Sequence, residues 1–135
     1  MIVRSCLCLA IVIFGLALRR YGLDLGVPAF IVRYGGSLLW GTMVFLLVAL
    51  AAPRQSRRNV ALIAAAIALC VELFRLVHAP WLDAFRLTLP GALLLGRIFS
   101  AWNMLAYGAG IALAIGLDRI STWTVDRSRR HAEAR

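Results

Sequence analysis

The chain has 135 residues, of which 62% are hydrophobic and 16% charged, and its mean hydropathy is +0.85. Soluble domains of this size do not reach that apolar content, so the composition argues against a water-soluble fold and predicts a membrane protein. The formal charge is +9, with 15 Arg and no Lys against six acids, and these Arg gather at the ends of apolar runs. That placement fits helix orientation and contact with anionic lipid, and it excludes nucleic-acid binding as the first expectation.

With a rise of ~1.5 Å per residue and a hydrocarbon core of about 30 Å, a span takes roughly 20 residues, so four spans fill the chain. The first is predicted from Ile2 to Leu18, stopping at Arg19 and Arg20; with no small-x-small cleavage site before that pair, it is expected to stay uncleaved. The stretch YGLDLGVP follows, where Gly22, Asp24, Gly26 and Pro28 break any helix, and Ala29 to Arg33 is expected to form an interfacial turn. Span two covers Tyr34 to Ala52 and closes at Pro53 and RQSRRN, and span three runs from Val60 to Val77, ending at His78 and Pro80.

Trp81 to Ser100 is apolar enough to enter the membrane, yet Arg86, Pro90, Gly91, Gly96 and Arg97 argue against a full span. A short re-entrant or interfacial helix between spans three and four is expected there. Span four runs from Ala101 to Leu117, and the tail is polar, helical at first and frayed at its end. The predicted fold class is therefore all-α: a transmembrane helical bundle of four spans over residues 1–118, with a basic cytoplasmic tail at 119–135. Nine Arg flank the spans on the side of the termini and five on the other, which places both termini in the cytoplasm of a multi-pass inner-membrane protein. Arg19 and Arg20 conflict with that count locally.

Small residues recur at four-residue spacing in Ser37 and Gly41, Ala64 and Ala68, Ala106 and Gly110, and Gly110 and Ala114. In lipid, such spacing lets helix backbones approach closely. Cys6, Cys8 and Cys70 lie in apolar segments without a C-x-x-C pair or a His at ligand spacing, so they read as packing residues, and neither a metal nor a cofactor is expected.

The polar constellation centres on VELFRLVHAPWLDAFR, residues Val71 to Arg86. Glu72 lies deep in span three, where an unpaired carboxylate would cost several kcal/mol. Arg75 is its neighbour one helical turn on, and Asp83 and Arg86 form a second acid–base pair beyond the span. Asn103 and Tyr107 lie at i and i+4 on span four and have the donors to complete hydrogen bonds around Glu72; Ser37 and Trp40 are placed to line the same space. Neither a phosphate loop nor a G-x-S-x-G elbow competes with this constellation.

RYGGSLLW at Arg33 to Trp40 and VELFRLVHAPWLDAFRLTLPGALLLGRIFSAWNMLAYGAG at Val71 to Gly110 resemble the small bacterial membrane proteins grouped as domain-of-unknown-function family 2809. That family in turn resembles VanZ-like proteins, marked by Glu, a Gln three residues on, then Arg and Asp before a Gly-rich last span. The resemblance implies family positions at Glu72, Arg86, Gly36, Gly91, Gly96, Tyr107 and Gly110. The chain departs from the pattern at three positions: Ser37 and Asn103 stand where the family has Asp, and Arg75 where it has Gln. VanZ-like proteins are associated with glycopeptide resistance, so the resemblance implies a role at the cell envelope and no assigned reaction.

Glu72, Arg75 and Arg86, with Asn103 and Tyr107 in support, are therefore expected to bind a polar or anionic group of a membrane lipid or lipid-linked envelope precursor in a small periplasm-facing site, with Arg86 meeting the phosphate or carboxylate. Two alternatives stay open. One is a membrane enzyme using Glu72 as general acid or base. The other is a structural subunit, in which the polar groups only fix helix register and the chain meets a second copy or a partner subunit.

Overall fold

The computed structural model describes residues 2–88, 91 and 100–133, with side chains described as far as Ile120. Among these residues there are five α-helices and no strand: α1 (Ile2–Tyr21), α2 (Ala29–Ala51), α3 (Arg57–Phe74), α4 (Pro80–Leu87) and α5 (Ala101–Glu133). The all-α expectation holds. Gly96, Arg97 and Pro90, on which the re-entrant segment was argued, lie outside the described residues.

Local chemistry sets each boundary. Arg19 and Arg20 occupy the last turn of α1, where positive charge complements the helix dipole. The chain then reverses through Gly26, whose φ of 76° lies in the left-handed region that glycine enters at no steric cost. α2 begins directly after Pro28, so Ala29 to Arg33, expected as a separate turn, is its first helical stretch. Ser56 caps α3 by accepting the backbone N–H of Asn59 at 3.2 Å. α3 ends three residues sooner than expected, because Leu76 and Val77 donate to Leu73 and Phe74 in tight turns and Ala79 is extended before Pro80. Pro80 then opens α4, whose first turn lacks partners for its N–H groups in any case. α5 continues without interruption to Glu133, well beyond the expected end of its span.

α2 is the central helix, packing against α1, α3 and α5. α1 and α3 run antiparallel to it, and α5 runs parallel, so consecutive long helices alternate in direction. The closest approach is between α2 and α5. A Cβ added at Gly41 would lie 2.7 Å from the carbonyl oxygen of Tyr107, and one added at Gly110 would collide with the carbonyl oxygen of Leu38. The Thr42 hydroxyl sits between the two backbones, 3.0 Å from Leu38 O and 2.9 Å from Gly110 O. Thus Gly41 and Gly110 do serve close backbone packing, while Thr42 adds a hydrogen bond that the spacing of small residues did not announce.

The sealed interior is narrow. It comprises Phe45, Leu46, Ala64 and Ala114, with Val44, Ala49, Val60, Ile111 and Cys8 around them. Outside it the helices present Leu9, Ile13, Phe14, Leu62, Leu73, Trp102 and Leu105 outward. Large apolar side chains turned outward in this number point to contact with a membrane or another chain. Cys6 and Cys70 lie on this exterior, so of the three cysteines only Cys8 packs inside. Two helices, α1 and α2, are long and apolar enough to cross a membrane. α3 carries Arg57, Arg58 and Glu72 within its 18 residues, which weakens its hydropathy as a span.

Candidate functional site

Glu72 is fully buried in the last turn of α3, nearer its end than the expected span placed it, and each of its oxygens accepts two hydrogen bonds. Oε2 takes the Arg75 guanidinium at 2.7 Å and the Tyr107 hydroxyl at 3.1 Å. Oε1 takes the backbone N–H of Ser100 at 2.7 Å and the Asn103 amide at 3.2 Å. Four donors fill the acceptor capacity of a carboxylate. Helical spacing explains the set: Arg75 lies three residues after Glu72 on the same face, and Asn103 and Tyr107 lie four apart on the facing helix.

Second contacts lock the donors. Arg75 also donates to the Tyr107 hydroxyl at 2.9 Å, closing a ring of three polar groups. The Tyr107 ring rests on Trp40, with centroids 5.1 Å apart. Ser37 donates to Asn103 Oδ1 at 3.1 Å, which orients the amide so that its nitrogen faces Glu72. Ser37 and Trp40 therefore support the cluster, as their positions on α2 led one to expect. Asn103 and Tyr107 are buried, and the Arg75 side chain is 11% exposed, more accessible than Glu72, Asn103 or Tyr107.

Arg86 was expected to meet an anionic ligand and instead is bound into the protein. It is 3% exposed and donates to the carbonyl oxygens of Phe74 at 2.6 Å and Val77 at 2.8 Å, and to Asp83 Oδ1 at 3.0 Å. The first is the last carbonyl of α3, which also accepts the N–H of Val77, and the second lies in the turn beyond it; carbonyls at a helix C-terminus draw a cation. The spacing of Asp83 and Arg86 foretold their pairing; it carried no sign of the carbonyls.

Sequence reasoning missed a second buried acid, Asp118, at the opposite end of the bundle and 1% exposed. Arg4 grips it with two nitrogens, Nε to Oδ1 at 2.6 Å and Nη2 to Oδ2 at 3.1 Å, and Arg57 Nε reaches Oδ2 at 2.8 Å. Burial alone would raise the Asp118 carboxyl, but the hydrogen bonds and charges of Arg4 and Arg57 outweigh it and hold the group below the ordinary carboxylate value. Contacts between residues 114 positions apart leave no periodic trace in a sequence. The one available signal was an acid directly after an apolar run, facing a chain terminus rich in Arg.

No group of three or more His, Cys, Asp and Glu residues among the described residues is arranged to hold a metal. No solved structure matches the chain. The model of the family described as "Protein of unknown function (DUF2809)" matches residues 27–111, a segment that contains every member of the Glu72 cluster. That match covers more than half of the chain, which belongs to this family.

Proposed function

We propose that the protein is a four-span inner-membrane protein with both termini in the cytoplasm, in which the Glu72 cluster recognises the polar or anionic group of a lipid or lipid-linked envelope precursor at the periplasmic face. The apolar exterior supports the bilayer placement, since α3 and α5 share it with the two helices that pass the length and hydropathy test. The alternating helix directions put Arg4, Arg57 and Asp118 at one end and Glu72, Arg75 and Asn103 at the other. The family's resemblance to VanZ-like proteins supports a role at the cell envelope.

The observation that carries recognition is the construction of the cluster itself. A sealed carboxylate orients the more accessible guanidinium of Arg75, using neutral donors drawn from α5 and from Ser100. A ligand phosphate can take the place of the Tyr107 hydroxyl as acceptor of the Arg75 guanidinium, which leaves all four bonds to Glu72 in place. Arg86 anchors α4 beneath the site and does not touch the ligand. A carboxylate already accepting four hydrogen bonds has no lone pair ready for a substrate proton, which favours binding over general acid or base catalysis by Glu72.

A purely structural role is the second reading, and the sealing of Glu72, Asn103 and Tyr107 favours it. Native mass spectrometry of the purified protein separates the two. Binding predicts a co-purifying lipid or precursor that is lost in Arg75→Gln while the fold persists. The structural role predicts identical spectra for both proteins.

A further inference from the structure

The Glu72 cluster makes no use of Asp118 or its two arginines. One buried carboxylate there fixes two guanidiniums side by side, and Arg57 remains 42% exposed and Arg4 23%. Arg54, Arg58 and Arg119 stand exposed around them, and Asp118 is the only acid at this end among the residues whose side chains are described. Arg4 and Arg57 come from the starts of α1 and α3 and converge on α5, so the positive charge is focused where two helices begin beside a third.

We propose that this end is a phosphate site, in which Arg57 and Arg4, aligned by Asp118 and rimmed by Arg54 and Arg58, take the phosphate of an anionic phospholipid. Guanidinium forks match phosphate oxygens in pairs, and both Arg4 and Arg57 keep part of their side chains exposed beside Asp118. Asp118 directly follows Leu117, the last residue of the apolar run of α5, so the cluster lies at the boundary of the hydrocarbon. Lipid phosphates of a bilayer occupy the same depth. This depth rests on the bilayer placement proposed above; the capacity for phosphate rests on the arginines alone.

The test offers the purified full-length protein equimolar phosphatidylglycerol and phosphatidylcholine and reads the retained lipid by native mass spectrometry. In parallel, its thermal stability is followed with inorganic phosphate against chloride at fixed ionic strength. The wild type retains phosphatidylglycerol preferentially, and Arg57→Gln lowers that preference about tenfold, as loss of a charge-assisted contact does. Arg54→Gln with Arg58→Gln changes only exposed side chains and lowers it as well, which decides the matter if Arg57→Gln does not fold. Arg75→Gln, at the other end, leaves the preference intact. Stabilisation by inorganic phosphate that both variants abolish, without a lipid preference, assigns the same site to a soluble phosphate. A preference that survives both variants, or that Arg75→Gln alone removes, overturns the proposal. Recovery of the protein from the aqueous fraction without detergent ends the bilayer placement but leaves the inorganic phosphate arm valid.

Discussion

Glu72 and Asp118 are both sealed acids, yet they are neutralised differently. Glu72 has one guanidinium, one amide, one hydroxyl and one backbone N–H, so its cluster sums to zero. Asp118 has two guanidiniums among the described residues, one more positive charge than it cancels, and both partners keep contact with the exterior. The 15 residues from Asn103 to Asp118 set the two clusters ~22 Å apart along α5. The difference teaches how position governs charge. Within an apolar surround a carboxylate must be matched one for one and its spare lone pairs filled by neutral donors, whereas at a wet boundary surplus positive charge is solvated.

The largest expected effect sharpens that contrast. Glu72→Gln leaves the nearly sealed Arg75 without its counter-charge and should cost about 3–5 kcal/mol of unfolding free energy, measured by denaturation in mixed micelles. Adding Arg75→Gln should recover part of the loss, since it removes the stranded charge. Asp118→Asn should cost less, about 1–3 kcal/mol, because Arg4 and Arg57 can turn to water. Equal losses from the two single substitutions would break the comparison.

Acid titration probes Asp118 more finely. Its folded-state pKa lies below the unfolded value of about 3.9, so its stabilisation is complete above that pH and disappears as pH falls through the lower folded value. The wild type should therefore lose thermal stability over that acid interval more steeply than Asp118→Asn does. Tyr107→Phe removes one of four bonds to Glu72 and an acceptor of Arg75 but keeps the ring on Trp40, and should cost about 1.5 kcal/mol in the same micelle assay, the low end for bonds to charged groups. The smallest effect is that of salt. Raising ionic strength from roughly 0.1 to 1 M should lower the cost of Asp118→Asn by a few tenths of a kcal/mol and leave that of Glu72→Gln unchanged.

How much of this was legible depended on distance along the chain. Arg75 beside Glu72, Arg86 beside Asp83, and Asn103 with Tyr107 all lie within one helical turn of each other, and period alone put each pair on one face. Joining the pairs needed only the cost of a lone buried acid, which selects donors on a facing helix. Gly41 and Gly110 were readable because close backbone approach demands a missing side chain. Ser100 was not, since a backbone N–H donor has no residue signature. Nor were the carbonyls that hold Arg86, or the union of Arg4 with Asp118 across nearly the whole chain. The start of α2 was misjudged because Pro28 sits where a helix can begin as readily as a turn can continue.

The parallel pairing of α2 with α5 also bears on the order of assembly. Asn103, Tyr107 and Asp118 all reside on α5, which is made after α1 to α4, so Glu72 and Arg4 wait without these partners until α5 has emerged. A nascent chain halted after α4 holds two ionic ends with nothing from α5 to close them, and both close only when α5 slots against Gly41.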